Sequence, residues 1–449
     1  MPISSPEAGL TLHERVLRLF NLYRVVLGFG LALLTSPRLR EGLLSLHDPD
    51  LYEAASGIYL FIGLMTALMD RKRWDAIAFT TPDFFQFGTN FHTDVQTWER
   101  PIVLVVPRDG APFAVMHELS TNHIRFSREA QRMWVDDITM YAEHPRVGAR
   151  LALYPQWPAL VAETLKAKGL GRARIGADGG GGPLARAVAL LPEAKLIPAV
   201  PELRTLRFVK CDEEIAVMRE AAGLSDWVQD RYREHIRPGR LVQELDMSMA
   251  ALMAEEAARR FPGQNVELRC WTLSGPASCA PHGDGQPTGA RIEAGHGLVN
   301  IVIPRVNGLV VENERTWFCG KPSEIQVRAF EAANAANAAA IEALVEGNPV
   351  SAFDAAAQGV IERAGFGANI LHRTGHGMGT LGHEFPDDTA FLHRPLVANE
   401  VYSCEPGIYL WGVGGFRQDD TVVVGKTPEV LLCDEPTGAL DFRTGIRVL

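Results

Sequence analysis

The stretch His372-Arg-Thr-Gly-His-Gly-Met-Gly379 runs on to Gly382-His-Glu-Phe-Pro386 and then to Cys404-Glu-Pro-Gly-Ile-Tyr409. Three histidines and two glutamates fall on short, glycine-rich turns within this reach. Gly375, Gly377, Gly379 and Gly382 allow sharp or positive-φ turns. Such turns can bring imidazoles and carboxylates onto one centre, which is the composition of a metal or acid–base site rather than of a packed core.

Working outward, Leu298–Ile303 reads as a buried strand, Asn307-Gly308 as a two-residue hairpin turn, and Leu309–Phe318 as the return strand. A two-residue turn sets Ile303 opposite Glu312 and Ile301 opposite Glu314. Glu312 and Glu314 then share a face with Ile301 and Ile303, and Asn300 points away unless a bulge at Pro304 intervenes. Ser323 suits the N-cap of an alanine-rich helix running to Glu346, with Gly347 as its stop. Ala352–Ala364 reads as a further helix, and Val401–Cys404 and Thr421–Val424 as strands around Glu405. Before the hairpin, helices are expected from Asp212 to about Ile236 and over Leu241–Arg260. A polar Gly/Pro-rich stretch follows them, with Ser274-Gly-Pro276 and Pro281-His-Gly283.

Residues 71–205 read as a small α/β domain. Trp74–Phe79 is a short strand, 101–116 a hairpin closed at Asp109-Gly110, and Pro158–Gly169 a helix. The loop Gly179–Gly182 lacks the pattern of a phosphate cradle. The whole chain, at 449 residues, suits two or three domains. Its 47% hydrophobic and 22% charged residues are ordinary for a protein with sizeable cores, and its net charge of −10 argues against nucleic acid as a partner. The cysteines at 211, 270, 279, 319, 404 and 433 form no C-x-x-C pair and read as reduced thiols of a cytoplasmic protein.

Both ends stand apart. Val25–Leu34 and Ala54–Met69 are charge-free runs, each shorter than the about 20 residues of a spanning helix. Val16–Met69 resembles the paired membrane helices that open some bacterial sensor kinases, notably in Leu19-Phe-Asn-Leu-Tyr-Arg24. Two readings of residues 1–70 stay open: amphipathic helices packed on the body, or membrane association through residues 16–69. The tail 429–449 contains Val430-Leu-Leu-Cys-Asp-Glu-Pro-Thr-Gly-Ala-Leu-Asp441, which resembles the Walker B region of a transporter ATPase. Asp420 stands where a Walker A motif ending in Gly425-Lys426-Thr427 needs glycine, so no ATPase function is expected.

The order of motifs over residues 206–428 resembles the pita-bread superfamily of methionine aminopeptidase, aminopeptidase P, prolidase and creatinase. Residues 71–205 resemble the small N-terminal domain of its prolidase–creatinase branch. The resemblance implies an α+β fold, a homodimer, and a metal site of two strand aspartates, one histidine and two further acids. These fall on Glu312, His376, Glu405 and Asp419, while the first strand aspartate is replaced by Asn300 or Ile301. One divalent transition metal is therefore expected (Mn, Fe, Co or Zn), and the family's second ion is in doubt. Glu405 would take the proton from a bound water, and His282 and His383 would serve the leaving group and the tetrahedral intermediate. Glu314, His372 and Arg417 are expected to touch substrate. The implied activity is hydrolysis of a small amide or dipeptide, of the Xaa-Pro kind. Three alternatives remain. Glu314-Arg315-Thr316 resembles metal-free creatinase, whose corresponding glutamate grips a guanidinium. A sulfoniopropionate lyase shares the fold. Loss of the first aspartate also suits a catalytically dead binding module.

Overall fold

The structure, a computed structural model, describes residues 63–431 apart from 94, 131, 143–155, 283–287 and 387. The expected N-terminal extension up to residue 62, and the ATPase-like tail from residue 432, lie outside the described residues. Chain contacts divide the protein into two compact units, up to Leu203 and from Arg204 onward.

After a helical stretch over residues 63–72, the first unit builds one six-stranded sheet from β1 (Ala76–Phe79), β2 (Val103–Pro107), β3 (Phe113–His117), β4 (Asp137–Tyr141), β5 (Arg174–Ala177) and β6 (Lys195–Pro198). Its order is β4-β3-β2-β1-β5-β6. β1, β2 and β3 are buried along their whole length. That is why they read as continuous apolar runs, the pattern of strands covered on both faces. Helices α1 (Pro82–Thr89), α2 (Thr121–Glu129), α3 (Trp157–Ala167), α4 (Gly182–Ala189) and α5 (Val200–Arg204) complete the unit. Trp157, Val161 and Leu165 of α3 and Leu184 and Ala187 of α4 share one core cluster with the strands.

The second unit carries two helix pairs and three sheets. Helix α6 (Asp212–His235) begins with three acids in its first turn, which suits the positive end of its dipole. Helix α7 (Val242–Arg260) follows. Both bury apolar side chains with β7 (Val266–Ser274) and β8 (Gly297–Val306) in one cluster that includes Met218, Leu245, Met249 and Val302. Helices α8 (Glu324–Ala343) and α9 (Ser351–Arg363) form the second pair. They bury Ala333, Ala336, Phe353 and Ile361 together with Tyr402 and Phe416. The Ser323 capping box is present. Helix α8 stops at Ala343, short of the expected Glu346, because Glu346 N donates to Gly425 O and Gly347 N to Leu396 O. Those partners pull the chain out of the helix.

The strand β7 is a correction, since this segment reads as part of a polar loop. β7 pairs antiparallel with β8, which pairs with β9 (Leu309–Val310) and β10 (Asn313–Phe318). Asn307 and Gly308 both have positive φ, at 49° and 87°, as a type I′ turn requires. The register carries straight through from Val306↔Leu309 to Glu314↔Ile301 with no bulge at Pro304. The return strand breaks at Val311 and Glu312 instead. Glu312 N donates to Thr421 Oγ1, whose hydroxyl donates back to Glu312 O. A further sheet joins β11 (Val401–Cys404), β14 (Asp420–Val423) and β15 (Glu429–Val430), and β12 (Gly407–Leu410) pairs with β13 (Gly414–Arg417).

Candidate functional site

A cavity of about 670 Å³ opens on the second unit. One wall is the pleated face of β7, β8 and β10. Strand alternation puts Glu267, Arg269 and Trp271 on it, with Ile303 and Ile301 beside them, and Glu312 and Glu314 beyond. Asn300 lies on the opposite face, buried, with its Nδ2 donating to Thr272 Oγ1. Ile301 thus occupies the site-facing position and brings no donor atom.

The chain from Thr374 to Gly379 runs alongside β11. Ser403 N donates to His376 O, Met378 N to Val401 O and Glu405 N to Thr374 O. None of Gly375, Gly377, Gly379 and Gly382 takes a positive φ. They permit close approach. A Cβ at Gly375 would sit 1.9 Å from Ser403 O, and one at Gly379 would sit 1.9 Å from Glu384 Oε2. Packing against β11 is what holds His376 rigidly beside Glu405.

His376 is fully buried. Its Nδ1 donates to Gly377 O at 3.0 Å, which leaves the Nε2 lone pair facing inward. Nε2 lies 3.5 Å from Glu312 Oε2 and 3.5 Å from Glu405 Oε1. The His383 ring stacks on His376 at 3.8 Å between centroids. Asp419, also fully buried, accepts from Ser403 Oγ through Oδ1, and its Oδ2 has no hydrogen-bond partner. Donor atoms of Glu312, His376 and His383 lie within 4.8 Å of one another, as do those of Glu314, Glu405 and Asp419. Burial alone would depress the pKa of the His376 ring, but Glu312 and Glu405 raise it, so the nitrogen between two carboxylates, beside a buried oxygen without a hydrogen-bond partner, draws either a proton or a metal cation. The donors present therefore fit a divalent metal ion.

The same crowding shows in the protonation equilibria. Burial pushes the Asp419 carboxyl well above the usual range, and Glu314 and Glu405 push it further. Burial also raises Glu314 to about 7; Arg417 pulls it down, and the charges of Glu405 and Glu312 push it up. Burial opposes ionisation of Glu312, but the His376 ring outweighs it and holds this carboxyl below its usual value. Burial, then the neighbouring His376, depresses the pKa of His383.

Three residues expected to touch substrate have partners inside the protein. Arg417 grips Glu314 with Nε and Nη2, and its Nη1 donates to Tyr409 Oη at 3.0 Å and to Pro281 O at 3.2 Å. The Tyr409 hydroxyl donates to His372 Nε2, and His372 Nδ1 donates to Arg373 O. Arg417, Glu314 and His372 are thus joined through Tyr409 into one largely buried hydrogen-bonded relay that positions the acids. His282 is exposed and lines the cavity. Sequence reasoning missed Tyr409, Arg269 and Trp271. Tyr409 stands in the quoted Glu405 motif, and the alternation of Glu267, Arg269 and Trp271 was the available signal for a pocket-facing strand.

Comparison with known proteins adds three domain matches. Residues 216–426 match metallopeptidase family M24, and residues 64–209 match the creatinase/prolidase N-terminal domain. Residues 7–86 match a PilS-like transmembrane domain. That last match overlaps strand β1 of the first unit, and among the described residues no helix is long and apolar enough to cross a membrane. A relative named probable dipeptidase PepE, from Mycobacterium tuberculosis, is 31% identical over 334 residues, spanning 73% of this chain and 82% of that protein. Among solved structures, a recombinant prolidase from Thermococcus sibiricus superposes with a TM-score of 0.69 at 25% identity, over 83% of this chain and 96% of that one. The dipeptidase PepE from Mycobacterium ulcerans superposes with a TM-score of 0.68 at 24% identity, over 83% and 94%. The fold is the pita-bread fold of these prolidases and dipeptidases, preceded by a creatinase-type domain.

Proposed function

The chain belongs to metallopeptidase family M24, and from that premise we propose that it is a metal-dependent dipeptidase whose tightly held ion sits among Glu312, His376, Glu405 and Asp419. The observation that supports this most is the inward-facing His376 Nε2, 3.5 Å from oxygens of both Glu312 and Glu405. A bound divalent ion would polarise the scissile carbonyl and lower the pKa of an attacking water.

The protein's own groups supply the rest. Glu405 reaches the same centre with its side chain 14% exposed, so it can receive the water's proton from the cavity side. His383 keeps a neutral ring at pH 7 because burial and His376 disfavour its charge. Its N–H can then donate to the oxyanion of a tetrahedral intermediate. His282, on the cavity lining, can hand a proton to the departing nitrogen. Arg417 binds both oxygens of Glu314, and Tyr409 with His372 holds Arg417, so the charge of Glu314 is already matched by a cation inside the protein. That is the physical argument against the creatinase-like reading. The cavity volume of about 670 Å³ suits a dipeptide-sized ligand. Arg269, stacked over Trp271 at 3.6 Å and in no ion pair among the described residues, offers its guanidinium to an acidic group of that ligand.

The test is a panel of Xaa-Pro and non-proline dipeptides, creatine and a sulfoniopropionate, assayed before and after chelation. Dipeptide hydrolysis that disappears with chelator and returns with Mn, Co or Zn is the expected result. Turnover of creatine or the sulfonium compound by chelated protein, with no dipeptide cleaved, would overturn the proposal.

A further inference from the structure

Most charges on the cavity lining already have a counterpart inside the protein. Arg417 binds Glu314. Arg305 Nη1 lies 3.5 Å from Glu267, and its Nε and Nη2 donate to Gly308 O and Thr380 O. Glu312 and Glu405 both face His376. Arg269 is different. It is exposed on the lining and enters no ion pair among the described residues.

Its guanidinium is nevertheless held in place. Arg269 and Trp271 are two positions apart on β7 and so share one face. Arg269 Cζ lies 3.6 Å from the centre of the Trp271 ring. Stacking keeps the planar fork in one orientation and leaves its N–H edge available. It also holds the fork along its own strand rather than extended across the sheet. The strands run in the order β10-β8-β7, so about 10 Å separates β7 from β10. The floor between them is Ile301 and Ile303, whose side chains offer no hydrogen bond.

We infer that Arg269, seated on Trp271, is a specificity-determining residue that selects dipeptides carrying an acidic side chain. The inference rests on the dipeptidase reading and adds the substrate class to it. An extended chain advances about 3.5 Å per residue. A ligand whose amide lies at His376 and the acids therefore ends its own C-terminal carboxylate short of β7. A glutamate side chain crosses the isoleucine floor and meets the guanidinium fork, which accepts a carboxylate through two parallel hydrogen bonds. The ligand covers that floor as it binds, and the pair strengthens as water leaves.

Metal-loaded, full-length protein is assayed on glutamyl-alanine and alanyl-glutamate, each beside its glutamine isostere, and on lysine counterparts. The wild type prefers at least one glutamate dipeptide over its isostere by at least about tenfold in kcat/KM. Arg269→Met removes that ratio. Arg269→Glu shifts the preference to the lysine dipeptide, a gain that a folding defect does not mimic. A glutamate-to-glutamine ratio that is the same in the wild type and Arg269→Met overturns the inference. So does a loss in Arg269→Met that is equal for every dipeptide and vanishes for their C-terminal amides, which assigns Arg269 to the terminal carboxylate. If no dipeptide is cleaved, the dipeptidase reading fails, and calorimetry of chelator-treated protein with the same dipeptides decides the selectivity. Binding of a glutamate dipeptide that weakens at least about tenfold in Arg269→Met supports it; equal or undetectable binding overturns it.

Discussion

Replacing Arg417 by Met tests the buried relay that positions the acids. Arg417 and Glu314 have side chains only 3% and 6% exposed, and they share two contacts. Removing one partner of such a pair either strands the other charge or forces the carboxyl to take up a proton, and costs up to about 3–5 kcal/mol. For a unit of this size that is a fall in Tm on the order of 10 °C. The cost should depend on pH, and its sign follows from Glu314. Burial raises its folded pKa from 4.5 to about 7. The stability it contributes is complete below pH 4.5 and is lost as pH rises through 7. Without Arg417 the carboxyl stays protonated to still higher pH. The variant then keeps losing stability relative to the unfolded chain where the wild type has levelled off, by about 1.4 kcal/mol per pH unit above 7. The gap between variant and wild type is therefore wider at pH 8 than at pH 5. The assay is thermal and urea unfolding of metal-free protein at both values, as a double-mutant cycle with Glu314→Gln. A deficit below about 1 kcal/mol, or one independent of both pH and Glu314, would refute the reasoning.

Three shorter expectations accompany it. His376→Ala should abolish the rise in melting temperature that Mn²⁺ or Zn²⁺ gives the wild type, and should reduce kcat/KM on the cleaved dipeptide by at least about a hundredfold; a metal-dependent shift that survives would remove His376 from the site. Gly375→Ala should lower the yield of folded protein sharply, since its Cβ would meet Ser403 O, a backbone atom that cannot swing aside; normal expression with an unchanged melt would refute the close-approach account. Phe353→Ala, at a fully buried position between the second helix pair and Tyr402, should cost about 3–5 kcal/mol by urea unfolding while leaving metal stoichiometry at its wild-type value.

What was legible in the sequence was local. Asn307-Gly308 specified the turn, and the turn specified which of Asn300 and Ile301 faces Glu314, because register follows from loop length alone. Helices α6, α7 and α9 were visible from their acids, stops and apolar spacing. Strand β7 was hidden because Pro262-Gly263 and Ser274-Gly-Pro276 bracket it, and because its pocket-facing side carries Glu267, Arg269 and Trp271 rather than apolar residues. The pairing of Glu314 with Arg417, 103 positions apart, has no local signature. Nor does the reason for Gly375 and Gly379, which lies in Ser403 and Glu384 rather than in their own backbone angles.

The unbulged hairpin also limits how this centre can drift over generations. A pleated ladder enforces parity: odd positions of β8 look toward the cavity and even ones look away. Asn300 is adjacent in the chain yet unreachable, since a one-residue slip would invert the whole strand and drive Val302 and Val306 out of their cluster. With isoleucine at 301, an acid reaches this part of the cavity only from the facing strand, where Glu314 stands.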